Sequence, residues 1–379
     1  MNGPLNGIRI IELAGLGALP YGSLRLADMG ADIVRVERLG DVPEVRTVRP
    51  HSSWDRGRRS IAVDLKHPDG VATVLSLAEG ADAFLESFRP GVVERLGLGP
   101  EAILDRNPKI VYGRLTGWGQ NGPLAPTAGH SLNYESITGA VRAIGPVGGP
   151  PVPLLTIIGD FAGGGLSLAY GVVCALFEAQ RTGRGQVVDA AMVDGTTALL
   201  APYYAMAASG MHTEELGDNL FDGGAPFYNV YETADSRYVS VAPIEPHFYA
   251  LLLDKMGLAG ENLPAQYDRA RWPELRDRFA AAFRTKTRDE WCALLEGTDA
   301  CFAPVLTFAE ARAYPHNVAR ASFVDDTTAV AIAPRLSRTP GDPRRPSPAY
   351  PGADTDAVLE ENGFSALTIA HLRAQGAIA

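Results

Sequence analysis

Short apolar runs alternate with helix-like segments through the first third of the chain. Residues 8–13 and 31–36 are predicted to form buried strands, and residues 21–29 between them have the spacing of a helix. The alternation continues with further strands and a helix at residues 61–63, 69–79, 83–86 and 110–115. Because strand, helix and strand in this order form a βαβ unit, the pattern predicts a Rossmann-like α/β domain with an open parallel sheet.

The pattern changes in the middle of the chain. A long apolar helix is predicted at residues 163–180, and a turn and a strand at 181–188 lead into another helix at 190–210. Alternating positions within residues 227–243 predict an antiparallel strand pair, which helical segments follow to about residue 311. The chain is therefore expected to contain a second, smaller α+β domain.

Turns and prolines predict the domain boundaries. Residues 1–216 are assigned to the large domain, residues 217–226 to a polar, glycine-rich linker and residues 227–329 to the small α+β domain. Residues 330–379 are expected to complete the large domain. A proline-rich arm at residues 334–354 is long enough, if extended, to carry the chain back to the sheet, where the terminal helices find an apolar surface.

Composition and charge exclude several classes of protein. Apolar residues make up 46% and charged residues 21% of the 379 residues, a balance typical of globular proteins. The net charge of −10 argues against a nucleic-acid-binding protein, which needs a basic face. The three cysteines lack metal-ligand spacing, so reduced thiols and no metal site are expected. No signal peptide or membrane-spanning stretch is evident, which predicts a cytoplasmic protein without a membrane partner.

Two features at the predicted strand ends bear on ligand binding. Residues 15–20, GLGALP, imitate a dinucleotide-binding fingerprint, but Pro20 replaces its third glycine, which favours a Rossmann-like scaffold without NAD. Arginines also cluster at these ends, and guanidinium groups pair well with phosphates such as those of coenzyme A. The alternative for each arginine is a solvated surface position. The clustered arginines are Arg35, Arg38, Arg56, Arg58, Arg59, Arg89 and Arg95.

Three residues are candidates for chemistry. His130 lies in a loop of small residues, Asp160 stands between a predicted apolar strand and three glycines, and Glu245 ends a strand between two prolines. Each also has an ordinary explanation, as a solvated histidine, a helix N-cap or a surface acid. The glycines are expected to let a ligand approach the backbone, and N–H groups at a helix start near Gly163 are candidate donors to an oxyanion.

The chain resembles the class III CoA-transferase family, which includes the α-methylacyl-CoA racemases, over essentially its whole length. The segments that carry the resemblance are GPLNGIRIIELAGLGALPYGSLRLADMGADIVRVER at the start, RSIAVDLKHPDG, FRPGVVERLGLG, RLTGWGQNGP, RTGRGQVVDAAMVDG and, near the end, DTDAVLEENGFSALTIAHLRAQGAI. In this family the transferases use an aspartate of a Gly-Asp motif as a nucleophile, whereas the racemases use it as a base and add a histidine.

The resemblance assigns roles to the three candidates. Asp160 falls on the aspartate, His130 of GHSLNY on the racemase histidine, and Glu245 on a glutamate that supports the histidine. The histidine favours epimerisation of 2-methylacyl-CoA thioesters by two-base proton transfer through an enolate, with burial expected to raise the pKa of Asp160. The alternative is a class III CoA-transferase with Asp160 as nucleophile. Ser131 departs from the racemase pattern, in which an acid is common at this position.

The resemblance also implies a substrate site and a dimer. Coenzyme A is part of the thioester substrate, so no separate cofactor is expected. Two ring-shaped chains are implied to interlock as a homodimer, in which Glu245 of one chain meets His130 of the other. The residues implied to contact coenzyme A are Arg38, Val63, Asp64, Leu65, Lys66, Ser87, Phe88, Arg89, Pro90, Gly91, Val92, Arg95, Gly129, Ser131, Leu132, Asn133 and Tyr134.

Overall fold

A computed structural model describes residues 3–43, 54–324 and 329–379. The helices and strands are, in chain order, β1 (Arg9–Leu13), α1 (Ala18–Asp28), β2 (Asp32–Glu37), a 3₁₀ turn (Leu39–Asp41), β3 (Arg58–Ala62), α2 (Pro68–Glu79), β4 (Ala83–Glu86), α3 (Val92–Arg95), α4 (Pro100–Arg106), β5 (Val111–Thr116), α5 (Ser131–Ser136), a π-helix (Ile157–Leu166), α6 (Ser167–Thr182), β6 (Val187–Ala191), α7 (Met192–Leu199), α8 (Ala201–Ala208), β7 (Asn229–Glu232), β8 (Tyr238–Val241), α9 (Pro246–Lys255), a second 3₁₀ turn (Arg269–Arg271), α10 (Trp272–Phe283), α11 (Arg288–Leu295), β9 (Phe302–Val305), α12 (Phe308–Ala313), α13 (Pro315–Ala319), α14 (Thr355–Glu361) and α15 (Ala366–Ala374).

The chain folds into two compact units. The first unit comprises Met1–Thr138, Leu154–Leu199 and Ala321–Ala379, and the second comprises Gly139–Pro153 and Leu200–Arg320. The second unit thus begins ahead of the predicted linker.

The segment predicted to be a linker is itself folded. The buried Asn219 donates its side-chain amide to the Thr213 carbonyl oxygen over 3.0 Å and to Asp222 Oδ2 over 2.9 Å. Gly217 lies so close to Val147 that an added methyl group would meet its Cγ2 at 2.3 Å. These contacts hold the crossing within the second unit, so it does not act as a flexible connector.

A six-stranded parallel sheet forms the centre of the first unit. Its strand order is β3-β2-β1-β4-β5-β6, and every neighbouring pair is parallel. The predicted α/β fold with a parallel sheet is therefore confirmed. In such sheets the chain reverses its winding direction between β1 and β4, and ligands bind beyond the carboxyl ends of the strands at this switch point.

Hydrophobic clusters cover both faces of this sheet, and one of them includes the C-terminal helices. Val358 and Leu359 of α14 and Leu372 of α15 are buried in the same cluster as Val36 of β2. The proline-rich arm leads them there: the Gly57 N–H donates to the Pro346 carbonyl oxygen over 2.7 Å. The end of the chain thus returns to the sheet.

The segment before Asp160 is helical, so the apolar strand predicted there is wrong. Leu155 and Thr156 have φ angles of 57° and 60°, and the π-helix begins at the next residue and continues into α6. Length and apolar composition alone would let the segment Ile157–Thr182 cross a membrane, a test that core helices also pass. π-Helices are rare and frequently occur at functional sites.

The three glycines after Asp160 serve helix packing. A methyl group on Gly195 of α7 would lie 1.9 Å from the Gly163 carbonyl oxygen, and one on Gly165 would lie 2.5 Å from the Ala18 carbonyl oxygen of α1. The space that the missing side chains leave is therefore filled by the backbones of α1 and α7. The expectation that these glycines admit a ligand is wrong.

The second unit contains a small antiparallel sheet and an aromatic core. The predicted strand pair is confirmed as β7 and β8, and β9 extends the sheet to the order β7-β8-β9. The strand β9 falls where helices were predicted, because its four residues include Pro304 and carry little strand signal. The core includes Phe227, Tyr231, Phe279, Phe283 and Trp291.

Candidate active site

A cavity of about 390 Å³, here called the switch-point cavity, opens at the carboxyl ends of the central strands. Its lining comes from the residues that follow each strand: Gly15 after β1, Arg38 after β2, Ser87 after β4 and Gly117 after β5. His130 also lines it. The cavity therefore occupies the position at which open parallel sheets bind their ligands.

His130 stands on a fixed loop at the edge of this cavity. It precedes the first residue of α5, and its N–H donates to Asn133 Oδ1 over 3.0 Å. Tyr134 donates its hydroxyl to the Gly129 carbonyl oxygen and packs edge-on against Trp118, with ring centroids 4.7 Å apart. These contacts tie both sides of the loop to α5, while the histidine side chain stays exposed.

Asp160 lies against the turn between β1 and α1. A methyl group built on Gly17 would lie only 3.1 Å from Asp160 Oδ2, so the turn needs a glycine to pass the carboxyl group. Burial raises the pKa of Asp160, the negative charge of Glu135 raises it further, and Ser131 and His130 counteract part of the rise. The expected direction of the pKa shift is confirmed. His130 thus acts electrostatically on the Asp160 carboxyl group within the first unit.

Beneath Asp160 lies a buried carboxylate that the sequence did not reveal. Glu135 is 1% exposed, and its Oε1 accepts hydrogen bonds from Ser131 Oγ at 2.8 Å and from the Gly159 N–H at 2.7 Å. Ser131 Oγ in turn accepts the Asp160 N–H at 3.1 Å. The available signal was the spacing of four residues between Ser131 and Glu135, which places both on one face of a helix.

Four of the clustered arginines are neutralised by acids and do not line the switch-point cavity. Arg58 Nε lies 2.9 Å from Glu12 Oε2, with both side chains fully buried. The remaining pairs are Arg56 with Asp28 at 2.8 Å, Arg59 with Asp32 at 2.7 Å and Arg35 with Glu37 at 3.2 Å. These ion pairs argue against phosphate binding by the four arginines, because each guanidinium would first have to give up its carboxylate.

Three other arginines keep their charge available. Within residues 3–43, 54–324 and 329–379, no acidic group lies within ion-pair distance of Arg38, Arg89 or Arg95. Arg38 and Arg89 line the cavity. Arg95 ends α3, and its Nη1 would lie 3.2 Å from a methyl group on Gly91. An unpaired guanidinium at a cavity wall is suited to a phosphate.

A buried ion network holds the loop after β4. The Phe88 N–H donates to Glu86 Oε2 over 2.6 Å, and Arg114 Nε donates to Glu86 Oε1 over 2.7 Å. Arg114 Nη1 also lies 2.8 Å from Glu94 Oε1 of α3. Burial raises the pKa of Glu86, which its contacts with Arg114 oppose. The sequence did not indicate this network, which fixes both ends of the loop that carries Arg89.

The cavity gathers seven of the seventeen residues expected to contact coenzyme A. Besides Arg38, those in its lining are Ser87, Phe88, Arg89, Pro90, Gly129 and Tyr134, and the predicted catalytic residue His130 lines it as well. Gly91, with a φ of 81°, and Val92 continue the same loop into α3. Met192 also lines the cavity, and so do Leu115 and Trp118, which were not anticipated as ligand contacts.

The other expected contacts lie outside the cavity lining. The Val63 side chain is buried in the core, the Asp64 N–H donates to the Ala377 carbonyl oxygen over 2.9 Å, and the Lys66 N–H donates to Asp64 Oδ1 over 2.9 Å. Leu65 packs against the same core.

Three residues of α5 and Glu245 also lie outside the lining of the switch-point cavity. Ser131 is buried beneath Asp160, whereas Leu132 and Asn133 are exposed on α5. Glu245 belongs to the second unit, where it is exposed and precedes α9.

The helix start proposed near Gly163 does not exist. Gly163 lies inside the π-helix, seven positions after Thr156, which precedes that helix. At the true start, the Gly159 and Asp160 N–H groups donate to Glu135 and Ser131. The expected oxyanion donors are therefore wrong. Within the described part of the chain, no group of three His, Cys, Asp or Glu residues has the arrangement of a metal site.

Comparisons with known proteins agree on the family. A sequence model described as CoA-transferase family III matches residues 5–355. Over 364 residues the chain is 46% identical to an α-methylacyl-CoA racemase of Mus musculus, a match that covers 95% of this chain and 94% of that protein. It is 43% identical, with the same coverage, to an α-methylacyl-CoA racemase of Homo sapiens.

A solved structure supports the fold independently. The crystal structure of a CAIB/BAIF family protein from Brucella suis matches with a TM-score of 0.79, covering 96% of this chain and all of that one. Its sequence is 24% identical, so it establishes the shared architecture alone.

Proposed function

The chain belongs to the CoA-transferase family III, and on that premise we propose that it is a racemase that epimerises 2-methylacyl-CoA thioesters. The observation that carries the proposal is His130, which lines the switch-point cavity while Asp160 lies within its electrostatic reach. The racemases of mouse and man, at 46% and 43% identity, support the same reaction class.

We propose that His130 and Asp160 act on opposite faces of the α-carbon. One removes the proton, so that the C–H bond breaks and its electron pair moves through the carbonyl to form an enolate. The other then delivers a proton to the opposite face, which inverts the centre. An imidazole exchanges protons near neutral pH, and a carboxyl group whose pKa burial raises is easier to protonate than an ordinary aspartate.

The coenzyme A part of the substrate is proposed to bind along the loops at the cavity rim. Arg38, Arg89 and Arg95, which form no ion pair within the described part of the chain, are proposed to bind its phosphates through their guanidinium groups. The loop Ser87–Val92 and the segment Val63–Lys66 are proposed to contact the remainder through backbone groups, since the Val63 side chain is buried. Ser131 to Tyr134 complete the proposed site around Gly129 and His130. Coenzyme A is then part of the substrate, and no further cofactor is needed.

An isotope experiment tests the reaction. Purified protein is incubated in D₂O with single enantiomers of 2-methylacyl-CoA thioesters that carry branched, sterol-like or aryl chains, without an acceptor acid. Deuterium entering the α-position together with inversion is the expected result. Transfer of coenzyme A to an added acid without α-exchange would instead identify a CoA-transferase with Asp160 as its nucleophile.

We also propose a cytoplasmic homodimer of interlocked chains, in which Glu245 of one chain supports His130 of the other. Exposed apolar side chains favour a partner surface: Leu155 is 74%, Tyr170 73% and Phe177 63% exposed. Co-expression of His130→Ala chains with Glu245→Ala chains tests the sharing of sites. Each heterodimer should regain about half of the normal activity, because one of its two sites is intact. Heterodimers that remain inactive would exclude shared sites.

A further inference from the structure

Glu135 is a buried acid without a cationic partner. Its side chain is 1% exposed, and no Lys, Arg or His of the described chain lies within ion-pair distance of it. Its polar contacts are hydrogen bonds that Oε1 accepts from Ser131 and from the Gly159 N–H. A carboxylate is expensive to bury without a cation, and such groups concentrate at functional sites.

Both hydrogen bonds lead to the backbone of Asp160. The Gly159 N–H, 2.7 Å from Glu135 Oε1, belongs to the residue immediately before it. Ser131 Oγ donates its single proton to Glu135 over 2.8 Å and therefore has only lone pairs to offer to the Asp160 N–H at 3.1 Å. The Glu135 carboxylate thus determines which group donates and which accepts in each of these hydrogen bonds. Through them it holds the two peptide groups on either side of Gly159.

The other groups around Asp160 have different roles. From α5 and the loop before it, His130 lowers the pKa of Asp160, while Asp160 itself raises that of Tyr134. The β1–α1 turn presents Gly17, which carries no charge. The nearest acid of α7, Asp194, acts on Asp189 of β6. Glu135 is thus the acid whose charge acts on the Asp160 carboxyl group.

We propose that Glu135 is a positioning residue of the epimerisation reaction, which fixes the Asp160 backbone through Ser131 and Gly159 and places a negative charge beneath the Asp160 carboxyl group. The proposal rests on the proposed function in that Asp160 is one of the two bases. A neighbouring negative charge makes Asp160 a stronger proton acceptor and allows its protonated form to persist toward neutral pH.

The first test is the pH profile of α-proton exchange in Glu135→Gln. The glutamine oxygen still accepts both hydrogen bonds, so only the charge is removed. Without that charge the pKa of Asp160 falls. The acid limb of kcat/KM, measured in the direction in which Asp160 is the base, should move down by about one pH unit. Glu101→Gln, an exposed acid on α4, is the matched control and should leave the profile unchanged. An unshifted acid limb in Glu135→Gln would overturn the proposal.

A second measurement does not depend on turnover. Protein labelled with ¹³C at the aspartate carboxyl carbons is titrated by NMR, and the Asp160 signal is assigned by its loss in Asp160→Asn. The midpoint of the Asp160 titration should fall by about one pH unit in Glu135→Gln and stay constant in Glu101→Gln. A shifted midpoint in a protein that exchanges no α-proton would refute the proposed function and retain the electrostatic role of Glu135. An unchanged midpoint would refute that role whatever the activity.

Discussion

Two cavities open at the carboxyl edge of the same sheet, and both are lined by arginines. The larger, of about 560 Å³ and here called the paired-charge cavity, contains Arg35, Arg58, Glu37 and Asp55. There Arg35 Nη1 lies 3.1 Å from Asp55 Oδ1, and Arg58 is bound to the buried Glu12. In the switch-point cavity, Arg38 and Arg89 have no acid within ion-pair distance among residues 3–43, 54–324 and 329–379.

The difference between the cavities lies in the partners of the arginines. A guanidinium that is already hydrogen-bonded to a carboxylate would have to give up that partner before it could bind a phosphate. An unpaired guanidinium at the surface loses only its bound water when it binds a phosphate. The paired charges therefore stabilise β1, β2 and β3, and the switch-point cavity is the one that we propose to bind the substrate. Four predictions test this division, from the largest expected effect to the smallest.

The largest effect is expected where chemistry occurs. His130→Ala and Asp160→Ala should each lower kcat for α-proton exchange by about 10²–10⁴-fold, because each removes a general acid or base. Asp55→Asn, in the paired-charge cavity, is the control and should change kcat by less than about twofold, since a surface-exposed ion pair contributes little. A His130→Ala variant with nearly normal exchange would contradict the racemase assignment.

The second-largest effect is expected on the free energy of unfolding, when the buried ion pair at the paired-charge cavity is broken. Arg58→Met should lower the free energy of unfolding by about 3–5 kcal/mol, because the buried Glu12 loses its hydrogen-bonded cation and keeps only the more distant Arg35, whose Nε lies 4.0 Å from Glu12 Oε1. Urea denaturation followed by circular dichroism measures this change.

A matched double variant distinguishes the loss of the Arg58–Glu12 ion pair from the loss of packing around the Arg58 side chain. Adding Glu12→Gln to Arg58→Met removes the stranded charge and should recover much of the loss. The KM of the folded fraction should stay near normal throughout. A loss of substrate affinity without a loss of stability would assign this cavity to binding.

Substitution of an arginine in the switch-point cavity should lower the affinity for the substrate. Arg38→Ala and Arg89→Ala are expected to raise KM by about 10–100-fold, the effect of losing one charge-assisted hydrogen bond, with a much smaller change in kcat. Lysine at either position should restore part of the affinity, because the charge returns without the bidentate geometry. An unchanged KM would place the phosphates elsewhere. A large loss of thermal stability would show that these arginines are structural.

The smallest effect is expected at the edge of the sheet. Arg59 pairs with Asp32 and Glu361 in a partly exposed position, so Arg59→Ala should cost about 0.2–1 kcal/mol of unfolding free energy. That cost should diminish in high salt, because screening weakens exposed ion pairs. Kinetic parameters should not change. A KM increase comparable to that of Arg89→Ala would show that an arginine paired with acids can still contribute to substrate binding.

Local sequence patterns were sufficient to predict most of the strands and helices of the first unit. Its parallel sheet, like the strand pair β7–β8 of the second unit, follows from runs and alternations of apolar residues, which depend only on neighbours in the sequence. The motif around His130 and the Gly-Asp step at Asp160 were recognisable for the same reason. The structure brings His130, Arg38 and Arg89 to one cavity because the carboxyl ends of parallel strands meet at one edge of the sheet.

Long-range contacts decided what the sequence left open. The partners of Arg58 and Arg56 lie 46 and 28 residues away, so nothing near these arginines indicated that they were neutralised. The π-helix that contains Asp160 packs against the backbones of α1 and α7, which approach it closely at glycines, and the local sequence pattern had predicted a strand there.

Residue types and their spacing thus determined the fold class, the family and the candidate acid–base pair. Tertiary structure decided which charges remained available and which carboxylate lay beneath Asp160, because pairing and burial depend on residues brought together only by folding.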